Sequence, residues 1–143
     1  MLKKGDLAQD FSLPDQEGKT QSLSDYKNQW VLLYFYPKDF TSGCTKEACE
    51  FRDKFEKLKS LVNIIGVSAD SPESHKKFAE KYTLPYTLLS DTDRKVINLY
   101  GATGFIFTKR VSFLINPKGV IEKVYNNVDP KTHALQIIAD LEK

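Results

Sequence analysis

The spacing of apolar and polar positions changes several times along this chain, and each change marks an element. Trp30 to Tyr36 is apolar without interruption, the pattern of a central strand covered on both faces. Before it, Phe11-Ser12-Leu13 and Lys19 to Leu23 flank Pro14-Asp15-Gln16-Glu17-Gly18, whose turn chemistry predicts a β-hairpin. Ser24 to Lys27 reads as a short turn or helical piece. From residue 44 to residue 60 the period lengthens. Ala48, Phe51, Phe55 and Leu58 recur at spacings of three and four, the apolar face of a helix. Leu61 to Val67 is a second buried strand. Ser71 caps the next helix, Pro72 takes its first position, and Phe78, Ala79 and Tyr82 form its inner face. Thr87 to Ser90 is a short strand. Asp91 or Asp93 caps a helix through Val96 and Leu99. Arg110 to Ile115 and Val120 to Tyr125 are strands joined by the tight-turn tetrapeptide Asn116-Pro117-Lys118-Gly119. The last helix starts at Asp129 or Pro130 and turns Leu135, Ile138 and Leu141 inward.

Strands alternating with helices predict an α/β fold with a mixed, mostly parallel sheet, to which the late hairpin adds antiparallel edges. A βαβ unit followed by ββα is a thioredoxin-like arrangement, here preceded by the N-terminal β-hairpin and flanked by helices. The 143 residues are read as a single domain, 1–143, without repeats, linkers or low-complexity stretches. The 41% hydrophobic and 28% charged content is ordinary for a globular chain, and the net charge of +2 comes without a dense basic block, which argues against nucleic acid. The seven-residue apolar run is far short of the ~20 that span a bilayer. The basic N-terminus lacks the apolar stretch of a secretory signal. Two cysteines without a signal fit a reducing compartment, read as cytoplasmic, where paired cysteines are catalytic or metal-binding.

Those cysteines, Cys44 and Cys49, carry the chemistry. Cys44 follows the apolar strand, Pro37 and a Thr41-Ser42-Gly43 turn, and stands where the helical pattern begins. Sites in open sheets of this type form beyond the carboxyl ends of strands. A free thiol is only about 3% ionised at pH 7, and a pKa near 6 needs roughly 3.4 kcal/mol of differential stabilisation. The helix N-terminus supplies part of this through its free N–H groups and dipole. Thr41 or Ser42 caps that end, and Gly43 lets the backbone come close. A cation is the second source, and Arg110 is the candidate, because it opens a strand aimed at the same sheet end and offers donors of fixed geometry. Thr41 lies one helical turn before Cys44, and Pro37 keeps one backbone N–H out of the pocket. A pocket of hydroxyl, N–H groups and arginine suits a substrate with two adjacent oxygens. Attack on an O–O bond leaves a sulfenic acid on the cysteine. With Cys49 as resolving thiol, geometry adds a constraint. Five residues along an ideal helix separate Cα atoms by about 8.6 Å and the side chains by roughly 140°. A disulfide needs about 4.4–6.8 Å, so the helix must partly unwind.

Pro37-x-x-x-Thr41-x-x-Cys44, with Glu47 and later Arg110-x-Ser112-Phe113, resembles the peroxiredoxins. The Gly43-Cys44-Thr45-x-Glu47-x-Cys49 spacing is most similar to the peroxiredoxin Q, or bacterioferritin comigratory protein, branch. The resemblance extends through Phe11-Ser12-Leu13-Pro14-Asp15, Ser68-x-Asp70-Ser71, His75-Lys76-Lys77-Phe78 and Leu89-Ser90-Asp91. It implies that Cys44 is the peroxidatic nucleophile, Cys49 the resolving cysteine in an intramolecular disulfide, Thr41 and Arg110 the groups that orient peroxide and activate the thiolate, and Glu47 a support for the arginine. It further implies hydroperoxide substrates, antioxidant function, thioredoxin or a similar dithiol reductant, a monomer, and no organic cofactor or metal. No cysteine follows Cys49, so a C-terminal resolving cysteine does not fit. Gly101 to Lys109 is shorter than the segment before the matching arginine in many relatives.

Plainer readings stand beside these. Cys44 and Cys49 can be packed thiols, Thr41 only a cap, Glu47 a first-turn acid and Arg110 a surface cation. His75 and His133 lack metal-ligand spacing with the cysteines. Lys76, Lys77 and Lys81 read as a solvated helix face. Two other functions compete: a redox sensor switched by the same disulfide, and a thiol-disulfide oxidoreductase, which more naturally carries Cys-x-x-Cys.

Overall fold

A computed structural model describes all residues from Met1 to Lys143. The N-terminal hairpin pairs β1 (Ser12–Pro14) with β2 (Thr20–Ser22) in antiparallel register. A single 3₁₀ turn follows at Leu23–Tyr26. The main sheet contains β3 (Val31–Phe35), β4 (Asn63–Ser68), β5 (Thr87–Ser90), β6 (Val111–Ile115) and β7 (Ile121–Tyr125) in the order β5-β4-β3-β6-β7. Strands β3, β4 and β5 pair in parallel, while β6 is antiparallel to both β3 and β7. Four strands therefore run one way and β6 alone runs against them, which is the mixed, mostly parallel sheet of the sequence reading.

The uninterrupted apolar run of β3 has a two-sided use. Leu32, Tyr34 and Tyr36 pack with Cys44, Ala48 and Phe51 of α1 (Ser42–Asp53), Phe78 and Ala79 of α3 (Pro72–Tyr82), and Ala134 and Ile137 of α5 (His133–Leu141). Val31, Leu33 and Phe35 face the opposite layer, with Val96, Ile97 and Tyr100 of α4 (Lys95–Tyr100) and Phe11 and Leu13 from the hairpin region. Alternate side chains of a strand point to opposite faces, so one seven-residue stretch holds both cores.

Several boundaries differ from the periodicity. The helix expected over 44–60 breaks at Lys54 (φ −107°, ψ 12°) and resumes as the short α2 (Phe55–Leu58). The break lets Phe55 reach Tyr86, with ring centroids 6.4 Å apart. Arg94, in the left-handed region, rather than Asp91 or Asp93, precedes α4. Both aspartates still serve that helix end, since Asp91 accepts from Ile97 N–H at 2.7 Å and Asp93 from Lys95 N–H at 3.1 Å. Leu135 points outward, not inward, and Leu99 is exposed as well. Helix α4 buries Val96, Ile97 and Tyr100, and α5 buries Ala134 and Ile137, with Ile138 and Leu141 packed partly buried beside them. Asp129 forms a turn whose carbonyl receives the N–H groups of Thr132 and His133, and α5 starts only at His133. No helix is long and apolar enough to cross a membrane.

Candidate active site

The site lies just past the C-terminal end of β3. The chain leaves the strand through Tyr36 and Pro37 and turns at Phe40, which holds a left-handed backbone (φ 67°). It enters α1 with Thr41 as the N-cap residue. The first helical hydrogen bond runs from Thr45 N–H to the Thr41 carbonyl at 2.9 Å. The N–H groups of Ser42, Gly43 and Cys44 therefore have no helical partner, and they form the positive end of the helix. Cys44 is the third helical residue and is 2% exposed. Cys49, half-buried, sits further along the same unbroken helix, and both thiols are free.

Arg110, the residue immediately before β6, closes the site. Its Nη2 donates to Cys44 Sγ at 3.4 Å and its Nη1 to Glu47 Oε1 at 2.8 Å. The antiparallel register of β3 and β6 explains the meeting: Phe35 is opposite Val111, so the residue before β6 emerges where β3 ends. Gly43 makes room for the guanidinium, because a Cβ there would lie 2.9 Å from Arg110 Nη2. The glycine is required by close approach and not by backbone angle.

Glu47 is 1% exposed and has only one of its two oxygens paired. Burial pushes its carboxyl up to about 7, against the opposing pull of Arg110. Burial alone would lower Arg110, but the negative charges and hydrogen bonds of Glu47 and Cys44 outweigh it and hold the guanidinium charged. Burial also pushes the Cys49 thiol up, with Arg52 opposing and Asp53 assisting. A protonated Cys49 fits the part of a second thiol that waits for an electrophilic sulfur.

Thr41 is exposed, and its hydroxyl does not cap the helix. It donates instead to the Lys38 carbonyl at 2.7 Å. That leaves its oxygen lone pairs free to accept a hydrogen bond. Ser112, which follows Arg110 on the same strand face, is buried and bonds His133 Nε2 at 2.8 Å, tying α5 to β6. A cleft of about 430 Å³ lies elsewhere, at the start of β3 between Val31, Ile115, Asp10 and Lys118, and is lined by neither cysteine.

One buried pairing near the site escaped the sequence reading, although His75 itself lies in a motif of the resemblance. Asp39, in the turn before α1, and His75, on α3, contact each other at 2.7 Å. Helical spacing did hold a signal for His75, which lies three and four residues before Phe78 and Ala79 on the same inner face.

A thioredoxin-like sheet carrying an arginine-paired cysteine at the first helical turn after its central strand defines a cysteine-based redox protein. The chain belongs to the AhpC/TSA family, whose model matches residues 4–124. It is 46% identical over 148 residues to chloroplastic peroxiredoxin Q of Triticum aestivum, covering 98% of this chain and 68% of that protein. It is 44% identical over 141 residues to peroxiredoxin Bcp of Escherichia coli, covering 92% and 90%. The crystal structure of peroxidoxin BcpB from Mycobacterium tuberculosis superposes with a TM-score of 0.91 at 35% identity, covering 99% of this chain and 97% of that one. The chain spans about two thirds of the length of the chloroplastic relatives it matches.

Proposed function

We propose that this protein is a thiol-dependent peroxidase that reduces hydrogen peroxide and organic hydroperoxides through Cys44. The observation that carries the reading is the contact of Arg110 Nη2 with Cys44 Sγ at 3.4 Å, at the free N–H groups of α1. The Cys44 thiolate attacks the terminal peroxide oxygen. The O–O bond breaks, Cys44 becomes a sulfenic acid, and the departing alkoxide or hydroxide takes up a proton to leave as alcohol or water. Arg110 spans thiolate and substrate, so its donors meet the negative charge as it moves from sulfur to the leaving oxygen. Thr41 orients the peroxide, Pro37 shapes the turn, and Glu47 fixes the guanidinium.

The Cys49 thiol then attacks the Cys44 sulfenic acid, forming a disulfide and releasing water. A thioredoxin-type dithiol returns both cysteines to thiols and is itself oxidised to its disulfide. Both cysteines lie on one continuous helix, where ideal geometry keeps the Cα atoms about 8.6 Å apart. The first turns of α1 therefore unwind in each cycle. Support comes from membership of the family and from the placement of the residues that the resemblance singles out.

Peroxide consumption coupled to thioredoxin and its reductase tests the reading. Cys44→Ser is expected to abolish turnover. Full turnover in that variant contradicts the assignment.

A further inference from the structure

Beside the cysteine site lies a buried polar cluster with no part in the chemistry just described. His75 is fully buried and turns both ring nitrogens to acceptors. Its Nδ1 is 2.7 Å from Asp39 Oδ2, and its Nε2 is 3.0 Å from the Leu89 carbonyl. A carbonyl can only accept, so Nε2 carries a hydrogen. The Asp39 carboxylate receives further donors on both oxygens: Tyr36 Oη at 2.6 Å on Oδ1 and Ser74 Oγ at 2.8 Å on Oδ2. Burial and the Asp39 charge push the Tyr36 phenol well up, so it stays a donor. Donors on both oxygens stabilise the carboxylate as an anion, which places the second hydrogen on Nδ1. The other charged group here is Asp70, whose Oδ2 accepts from Ser68 Oγ at 2.6 Å and Asp39 N–H at 2.9 Å.

The cluster sits on the turn that carries Thr41. Between Asp39 and Thr41 lies Phe40, whose positive φ costs a non-glycine residue on the order of 1–2 kcal/mol. Such a conformation persists where its surroundings fix it. Here Asp39 is tied to His75 and Ser74, and the Phe40 ring packs on Phe78 at 5.1 Å and Tyr82 at 6.4 Å. All four belong to α3, so the side-chain anchors of Asp39 and Phe40 lie outside the cysteine-bearing α1, which meets the turn only at its cap residue Thr41.

We propose that His75 is an imidazolium which, through its ion pair with Asp39, positions the Pro37–Thr41 turn for peroxide and keeps it in place while α1 unwinds. This rests on the reading of Thr41 as the peroxide-orienting group. Both are positioning residues, since neither touches substrate. His133, the other histidine, is an internal contrast. Its Nε2 faces the Ser112 hydroxyl and its Nδ1 faces Gln136 Oε1, and burial holds its pKa down.

Imidazole ¹⁵N–¹H correlation spectra of the wild-type protein at pH 7 test the charge state. The expected result is hydrogen on both His75 nitrogens in the reduced and disulfide forms. A bare ring nitrogen on His75 in either form overturns the proposal. Kinetics test the positioning role. Single-turnover oxidation of Cys44 by hydrogen peroxide should slow roughly 10- to 100-fold in His75→Leu, the size of effect a small misplacement causes. It should recover in large part in His75→Asn, which keeps a donor toward Asp39. Alkylation of Cys44 by iodoacetamide, which needs no oriented peroxide, should stay at the wild-type rate. Equal losses in oxidation and alkylation, or no loss in His75→Leu, overturn the positioning role. A wild-type protein whose Cys44 is not oxidised by peroxide refutes the peroxidase reading instead, and leaves the imidazole spectra to decide the charge state.

Discussion

Replacing Glu47 with glutamine isolates the electrostatics of the site. The wild-type carboxyl is buried with one oxygen on Arg110 and the other without a partner. Burial raises it from 4.5 to about 7 in the folded protein. Between those values the unfolded chain gives up the proton that the folded protein keeps. Stability linked to this group is thus complete below about pH 4.5 and is lost as pH rises through about 7. The gap corresponds to about 3 kcal/mol. Glu47→Gln removes the titration and keeps an oxygen for Arg110. Urea unfolding of the reduced proteins at several pH values from 4.5 to 8 measures the difference between variant and wild type, in which the other titrating groups cancel. The variant should gain on wild type by up to about 3 kcal/mol across the window. Its peroxide oxidation rate should fall, because a neutral amide holds the guanidinium less firmly. A stability difference that stays constant with pH refutes the reasoning.

Gly43→Ala brings a Cβ to 2.9 Å from Arg110 Nη2, so stopped-flow peroxide oxidation should slow while thermal stability holds or rises, alanine being favoured in helices by about 1 kcal/mol. Gly66→Ala should lower stability by about 1–3 kcal/mol in chemical unfolding, since its Cβ would meet Tyr34 Cζ at 2.8 Å and Leu88 Cδ2 at 2.9 Å, both in the core. Burial lowers the His133 pKa. The stability it contributes is present above the usual histidine value near 6.5 and lost as pH falls through the depressed one. His133→Gln should therefore lose less stability than wild type on acidification from pH 7 to 5, measured as the difference between their urea midpoints.

The cysteine helix was legible because its signals are local. An apolar strand, a proline, a small polar turn and a 3–4 apolar repeat lie within thirty residues of one another. Arg110 is different. Its place beside Cys44 depends on the antiparallel pairing of β6 with β3, and the sequence offered it only through a strand start and a family resemblance. Asp39 and His75, 36 positions apart, are joined by the packing of α3 against the turn, which no local pattern encodes. Leu135 was misplaced because a short amphipathic helix admits two neighbouring faces. Thr41 was expected as a cap, but its hydroxyl found the Lys38 carbonyl three residues back, a local alternative open to any threonine at a turn.

The central claim is that the Arg110-paired Cys44 is the atom that takes oxygen from peroxide. It is tested most directly with Cys49→Ser, in which a sulfenic acid cannot be resolved within the chain. One equivalent of hydrogen peroxide is added to the reduced variant, and peptide mass spectrometry after sulfenic-acid trapping locates the oxygen. The account predicts one oxygen, on Cys44, acquired far faster than by a free thiol and slowed when Arg110→Met is added. Oxygen acquired by Cys44 no faster than by a free thiol, or at a rate indifferent to Arg110, would contradict it.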